Sequence, residues 1–290
     1  MRYRVSHRTT YRYSSSVDLA QHLAHLRPRS LPGQTVARCE VTVEPAADAR
    51  TTHVDHFGNT VDSFRIDTAH DELVVEMRAE VDVALPTPPP AEATPPWNEL
   101  RDALAAPFPV ETEAVEFAHP SPLVAPDDAA LAYARPSFPE GVPILQGARD
   151  LTRRIRADFA YTPGATDIST PLAEVFARRV GVCQDFAHVQ IAALRALGLP
   201  AAYVSGYIRT YRDPGEAALR GADASHAWVA VWCGDAGWVH LDPTNDLVAR
   251  EEHVIVAWGR DFADVSPVRG IILGGGHHTY GVEVELMPLL

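Results

Sequence analysis

The chain has 290 residues, enough for one large domain or two ordinary ones, and at 46% hydrophobic it can bury a substantial core. A formal charge of −13 argues against a nucleic-acid partner, which needs basic surface, although Arg clusters locally at Arg2, Arg4, Arg8 and Arg12 and again at Arg153, Arg154 and Arg156. Three cysteines, Cys39, Cys183 and Cys233, make no disulfide framework, and without a CxxC pair a thiolate zinc site is not expected. All 25 basic residues are Arg; there is no Lys. No apolar core of signal-peptide length opens the chain, and no run approaches the ~18 apolar residues of a membrane span, so a cytoplasmic protein with no membrane partner is expected. The oligomeric state has no signature in the sequence.

Residues 1–85 read as β-rich. Residues 39–44 alternate apolar with polar, and Val75, Met77, Ala79, Val81 and Val83 share one face of a second strand. His56-Phe57-Gly58-Asn59 is a turn candidate between strands. Residues 86–143 hold 14 of the 24 prolines, which predicts a linker with short helical pieces near 111–118 and 127–135. From 144 the pattern becomes helical: Ile144, Leu145, Ala148, Leu151, Ile155 and Phe159 follow a 3.6-residue period. Thr170-Pro171-Leu172-Ala173-Glu174 predicts a capped helix that Gly181 ends. Another is expected from Cys183 to Leu197, with Phe186, Val189, Ala193, Leu194 and Leu197 as its buried stripe and Gly198 as its cap. Residues 201–210, 226–232 and 238–242 read as strands, and Gly274-Gly275-Gly276 as a turn before one more strand over 278–287. Helices followed by strands predict an α+β class.

The chemistry concentrates in three places. Gly181-Val182-Cys183-Gln184-Asp185 puts a cysteine where a helix begins, and free N–H groups with the positive end of the helix dipole favour thiolate. A lone helical cysteine is more often packing, but the polar neighbours Gln184 and Asp185 argue otherwise. In Ser225-His226-Ala227-Trp228 the imidazole shares a strand face with Trp228, Ala230 and Trp232. In Trp238-Val239-His240-Leu241-Asp242-Pro243-Thr244-Asn245 the carboxylate of Asp242 sits at a strand end, placed to accept the Nδ1–H of His226. The competing reading makes Asp242 an Asx cap for its own turn, and His240 competes with His226 as the base.

These three motifs, in this order, resemble the transglutaminase-like superfamily in its bacterial branch. Tyr161-Thr162-Pro163-Gly164, the stretch from Arg260 to Pro267 and the glycine-rich tail resemble it too, and residues 1–85 resemble its β-rich N-terminal domain. The resemblance implies a papain-like core over 144–290, in which Cys183 matches the nucleophile, His226 the base and Asp242 the third member. The implied reaction is acyl transfer or hydrolysis at an amide of a protein or peptide, without cofactor or metal. The backbone N–H of Cys183 is one oxyanion donor, with Gln184, Tyr207 and Trp228 as candidates for the second. A cysteine peptidase or amidase is the alternative, and a non-catalytic binding module the further one.

Overall fold

The computed structural model describes residues 1–106, 112–209, 220–221 and 224–289. The chain opens on a seven-stranded antiparallel sheet built around β1 (Arg2–Ala24), with β2 (Gln34–Glu44), β3 (Ala49–Val54), β4 (Thr60–Ile66) and β5 (His70–Val83) in the order β2-β5-β1-β4-β3. On β5 the residues Leu73, Val75, Met77, Ala79, Val81 and Val83 are buried, which is the face that alternation predicts. β1 is 23 residues long and was not legible as a strand. Its inward face mixes Tyr3 and Val5 with His7 and Thr9, so polar residues interrupt the period. Its outward face carries the Arg cluster, which pairs across to β5: Arg2 with Glu80 and Arg12 with Glu72, both at 2.9 Å, and Arg8 with Glu76 at 3.8 Å.

The described part of the proline-rich stretch holds short helices. Pro95 and Pro96 lead into α1 (Trp97–Leu104), whose Trp97, Leu100 and Leu104 are buried. Then come α2 (Thr112–Val115) and α3 (Asp128–Ala134), the two short helices expected there; residue 111, the start of the first, lies outside the described residues. Asp127 caps α3 by accepting from the Ala129 N–H at 2.7 Å. α4 (Ile144–Asp158) follows the predicted period.

The short parallel strands β6 (Ala160–Tyr161) and β7 (Val180–Gly181) flank α5 (Leu172–Arg178). Thr170 does not cap α5; its hydroxyl accepts from the Asp167 N–H at 3.0 Å, and Arg179, at φ 55°, ends the helix in place of Gly181. α6 (Cys183–Ala196) follows. It is buried from Asp185 to Leu194 on every side rather than along one stripe, because a sheet covers one side and α3, α4 and α5 the others. That sheet is antiparallel in the order β11-β10-β9-β8-β12, from β8 (Ala201–Ile208), β9 (His226–Trp232), β10 (Trp238–Asp242), β11 (Leu247–Val248) and β12 (His253–Gly259). Residue 210, expected at the end of β8, lies outside the described residues.

β12 is an edge strand, and two side-chain amides from the first sheet cover its outer backbone. Gln34 brackets Ile255, donating to its carbonyl at 2.7 Å and accepting from its N–H at 2.8 Å. Asn59 does the same for Trp258, at 2.8 and 3.0 Å. Edge N–H and C=O groups need such partners once they are buried. After α7 (Phe262–Val265) the chain returns to the first sheet as β13 (Val268–Gly274) and β14 (His278–Pro288), both antiparallel to β1. Both ends of the chain therefore share one sheet.

Buried imidazoles contribute to the acid response of this fold. Loss of solvation pushes His7, His22 and His188 each down to about 4, His22 with help from His70. Unfolded, each titrates near ~6.5. Between those values the unfolded chain binds more protons, so stability falls with pH by at most about 1.4 kcal/mol per pH unit for each group. Asp185, raised by burial, works the other way. Urea midpoints are expected to fall steadily from about pH 7 to about pH 5, and less steeply in His22→Gln; a flat midpoint over that range would show that the three imidazoles titrate as in water.

Candidate active site

Cys183 is the first residue of α6 and is half-buried. Val182 before it is extended and has no side-chain acceptor, so Asp185 reaches back one turn and accepts the Val182 N–H at 2.7 Å. The second bond of that carboxylate comes from the Thr166 hydroxyl at 2.6 Å. Asp185 thus ties the helix start to the strand-like segment before it, while the first-turn N–H groups of Cys183 and Gln184 have no intrahelical partner. The β6–β7 pair holds Tyr161 against Gly181, two residues from the thiol.

His226 heads β9 and Asp242 ends the neighbouring β10, so antiparallel pairing brings the two side chains together in the interior. His226 Nε2 donates to Asp242 Oδ2 at 2.9 Å. The expectation that Asp242 would take the Nδ1–H is corrected here. Nδ1 is the nitrogen nearer the backbone, whereas Nε2, at the far side of the ring, spans to the next strand. Nδ1 is buried and makes no hydrogen bond among the described residues. Burial alone would lower the imidazole; the charge and hydrogen bond of Asp242, with a further contribution from Cys183, outweigh it and hold His226 well above its ordinary value. The same pairing, aided by His253, drives Asp242 far below the usual carboxylate range against the desolvation that opposes it. Both shifts run in the direction that favours imidazolium beside carboxylate.

Asp242 is the hub of the site. Oδ1 accepts from the Thr244 and Asn245 N–H groups at 2.9 and 3.2 Å, and Oδ2 from His226, the Asn245 amide at 2.9 Å and His253 Nε2 at 3.3 Å. One oxygen caps the turn, as the Asx reading expects, and the other accepts from the imidazole through Nε2. His253 was not legible from the sequence. It lies two strands from His226, on β12, and only the sheet order β9-β8-β12 brings it in. Between them Gly206 leaves room for the Trp228 ring, since a Cβ there would stand 2.5 Å from the indole. Asn245 was likewise passed over, its residue type being ordinary in a turn.

The remaining candidates are placed elsewhere. Trp228 Nε1 donates to His240 Nδ1 at 3.1 Å, and the Tyr207 hydroxyl pairs with His7 Nδ1 at 3.2 Å, so both polar groups are already engaged. Among the described residues no hydrogen bond joins His240 to Asp242; burial, with His253 nearby, pushes His240 down to about 4. It lines a cavity of about 910 Å³ with Arg29, Phe57, Phe117, Trp238 and Trp258, to which Cys183 does not contribute. Only Gln184 remains beside the thiol. Among the described residues, His226, Asp242 and His253 are the group whose ligand atoms lie within 4.8 Å of one another, as a metal site requires. Those atoms are bonded to each other through hydrogens, and a metal would have to displace that network.

The comparisons with known proteins agree with this layout. Residues 3–82 match the bacterial transglutaminase-like N-terminal region, and residues 136–243 match the transglutaminase-like superfamily. An uncharacterized protein of Mycobacterium tuberculosis is 40% identical over 99% of this chain and 93% of its own length. This chain belongs to the transglutaminase-like superfamily. Its fold is that of a candidate cysteine protease from Cytophaga hutchinsonii, with a TM-score of 0.75 at 22% identity over 99% of this chain and 90% of that one. A protein-glutamine gamma-glutamyltransferase of Pseudomonas aeruginosa is 38% identical over 92 residues, which is 31% of this chain and 14% of that protein. Among the described residues no helix is long and apolar enough to cross a membrane.

Proposed function

We propose that this transglutaminase-like protein is a thiol acyl-transfer enzyme acting on amide groups of a protein or peptide. The observation that carries the reading is the buried His226, hydrogen-bonded to Asp242 at 2.9 Å, with Asp242 and Cys183 both acting to raise it. The Cys183 thiolate adds to the amide carbonyl, and the oxyanion is met by the N–H of Cys183 at the positive end of α6. His226 delivers its Nδ1 proton to the leaving nitrogen, the C–N bond breaks, and a thioester on Cys183 remains. A primary amine or water then attacks the thioester while Nδ1 takes up its proton, and the thiolate leaves. Asp242 keeps the ring oriented throughout and favours its charged form whenever Nδ1 carries the proton.

The aligned stretch of the Pseudomonas protein, named for transfer at protein glutamine, supports an amine as acceptor. Hydrolysis by the same groups is the second reading, since the two differ only in what attacks the thioester. A glutamine-rich protein with a labelled primary amine, and the same protein without it, separates them. Amine incorporation with ammonia release marks transfer; ammonia release or chain cleavage alone marks hydrolysis; neither, from a protein whose thiols are all unreactive at about pH 6, would remove the enzyme reading. Because the chain has no Lys and guanidinium stays protonated, the enzyme incubated alone should form no multimers through side-chain isopeptide bonds.

A further inference from the structure

The side-chain amide of Asn245 touches both sides of the candidate site. Its Oδ1 accepts the Arg220 N–H at 2.9 Å, and its Nδ2 donates to the Arg220 carbonyl at 3.3 Å and to Asp242 Oδ2 at 2.9 Å. The residue that follows Arg220 is Gly221, buried and at φ +77°. A Cβ on it would stand 2.9 Å from His226 Nδ1 and 3.5 Å from the Tyr161 hydroxyl. The Arg220 guanidinium lies 5.9 Å from the Tyr161 ring. One amide therefore links the carboxylate that holds Nε2 to the backbone that borders Nδ1.

Residue type matters in this arrangement. An amide offers an acceptor and two donor hydrogens from one short side chain, which is the set used here. A carboxylate at 245 would keep the bond to the Arg220 N–H but turn an acceptor toward Asp242; a hydroxyl could not serve both partners. The groups facing His226 are Asp242, Cys183, His253 at a ring separation of 6.2 Å, and Trp228 at 6.0 Å. Asn245 touches the first of them directly and lies on none of the reacting atoms.

We propose that Asn245 is a positioning residue for acyl transfer: it registers the Asp242–His226 pair against the Arg220–Gly221 backbone, so that Nδ1 stays open toward Cys183 and the leaving nitrogen. Gly221 is the matching requirement, because a side chain there would occupy the space beside Nδ1. The inference rests on the acyl-transfer reading above.

The test compares the wild type with Asn245→Ala, Asn245→Asp and Gly221→Ala. It measures iodoacetamide alkylation of Cys183 across a pH series, site-assigned by mass spectrometry, together with kcat and KM on an amide substrate. Both Asn245 variants are expected to lose about 10-fold in alkylation rate near pH 6 and about 10- to 100-fold in kcat, with KM close to wild type. Gly221→Ala should lower kcat in the same way. Folded Asn245 variants with the wild-type alkylation profile and kcat would overturn the inference. So would loss of the fold in both, since Asn245 would then be structural. If wild-type Cys183 itself shows neither selective alkylation nor turnover, the acyl-transfer reading fails, whatever the variants do.

Discussion

Cys183→Ala is expected to abolish turnover on any amide substrate, by about 10⁴- to 10⁶-fold, and to leave the fold standing. The side chain is half-buried at the first turn of α6, and the bonds that hold that turn belong to Asp185, Val182 and Thr166, so the sulfur can be removed without opening the helix. No other thiol can take its place. Burial pushes Cys233 up to about 12, and its Sγ already points to the Val231 carbonyl at 3.5 Å. Cys39 is likewise raised by burial, on β2 of the first sheet. Alkylation near pH 6 should therefore mark Cys183 alone and disappear in the variant. Wild-type turnover in Cys183→Ala would end the assignment.

Asp242→Asn carries the second-largest expected effect, and on two readouts. An amide cannot accept on both of its ends, and five donors converge on this carboxylate. Either orientation of the Asn amide turns an NH₂ toward buried N–H groups. Leaving such donors unsatisfied costs about 1–3 kcal/mol each, so a clear fall in urea midpoint is expected. Activity should drop by about 10²- to 10⁴-fold, less than in Cys183→Ala, because the thiol remains.

The pH dependence follows from the two shifts. Asp242 is depressed, so its contribution to stability is present above the unfolded carboxylate value and is lost as pH falls through its folded value. His226 is raised, so its contribution is full below about 6.5 and is lost as pH rises through its folded value. In Asp242→Asn the charge that raises the imidazole is gone and burial dominates. The ring then loses its proton at lower pH and no longer supports the thiolate, so the rise of the Cys183 alkylation profile should move to higher pH. Identical profiles for variant and wild type would take Asp242 out of the mechanism. His240 would not inherit the role, since it accepts from Trp228; His253 would be the nearer alternative.

Much of this site was legible before any fold was known. A cysteine after Gly181-Val182, a histidine opening an apolar strand and an aspartate before Pro243 are local patterns, and local patterns are what periodicity, capping and proline report. The same holds for β5, whose apolar residues alternate cleanly, and for α4, whose stripe keeps its period. What the sequence could not supply is which segments meet. His253 reaches Asp242 only because β12 lies beside β8, and Asn245 matters only because its amide reaches Arg220 as well as Asp242. β13 and β14 return to β1 across nearly the whole chain, and the apparent basic patch on β1 is answered by Glu72, Glu76 and Glu80 on β5. Even the nitrogen that His226 gives to Asp242 depends on the reach from β9 to the neighbouring strand β10. The sequence by itself determined the element types and the three residues around which chemistry can form, because each depends on neighbours a few positions away. The tertiary structure alone decided their partners, their charge and their supports, because those depend on burial and hydrogen bonds between segments that only packing brings together.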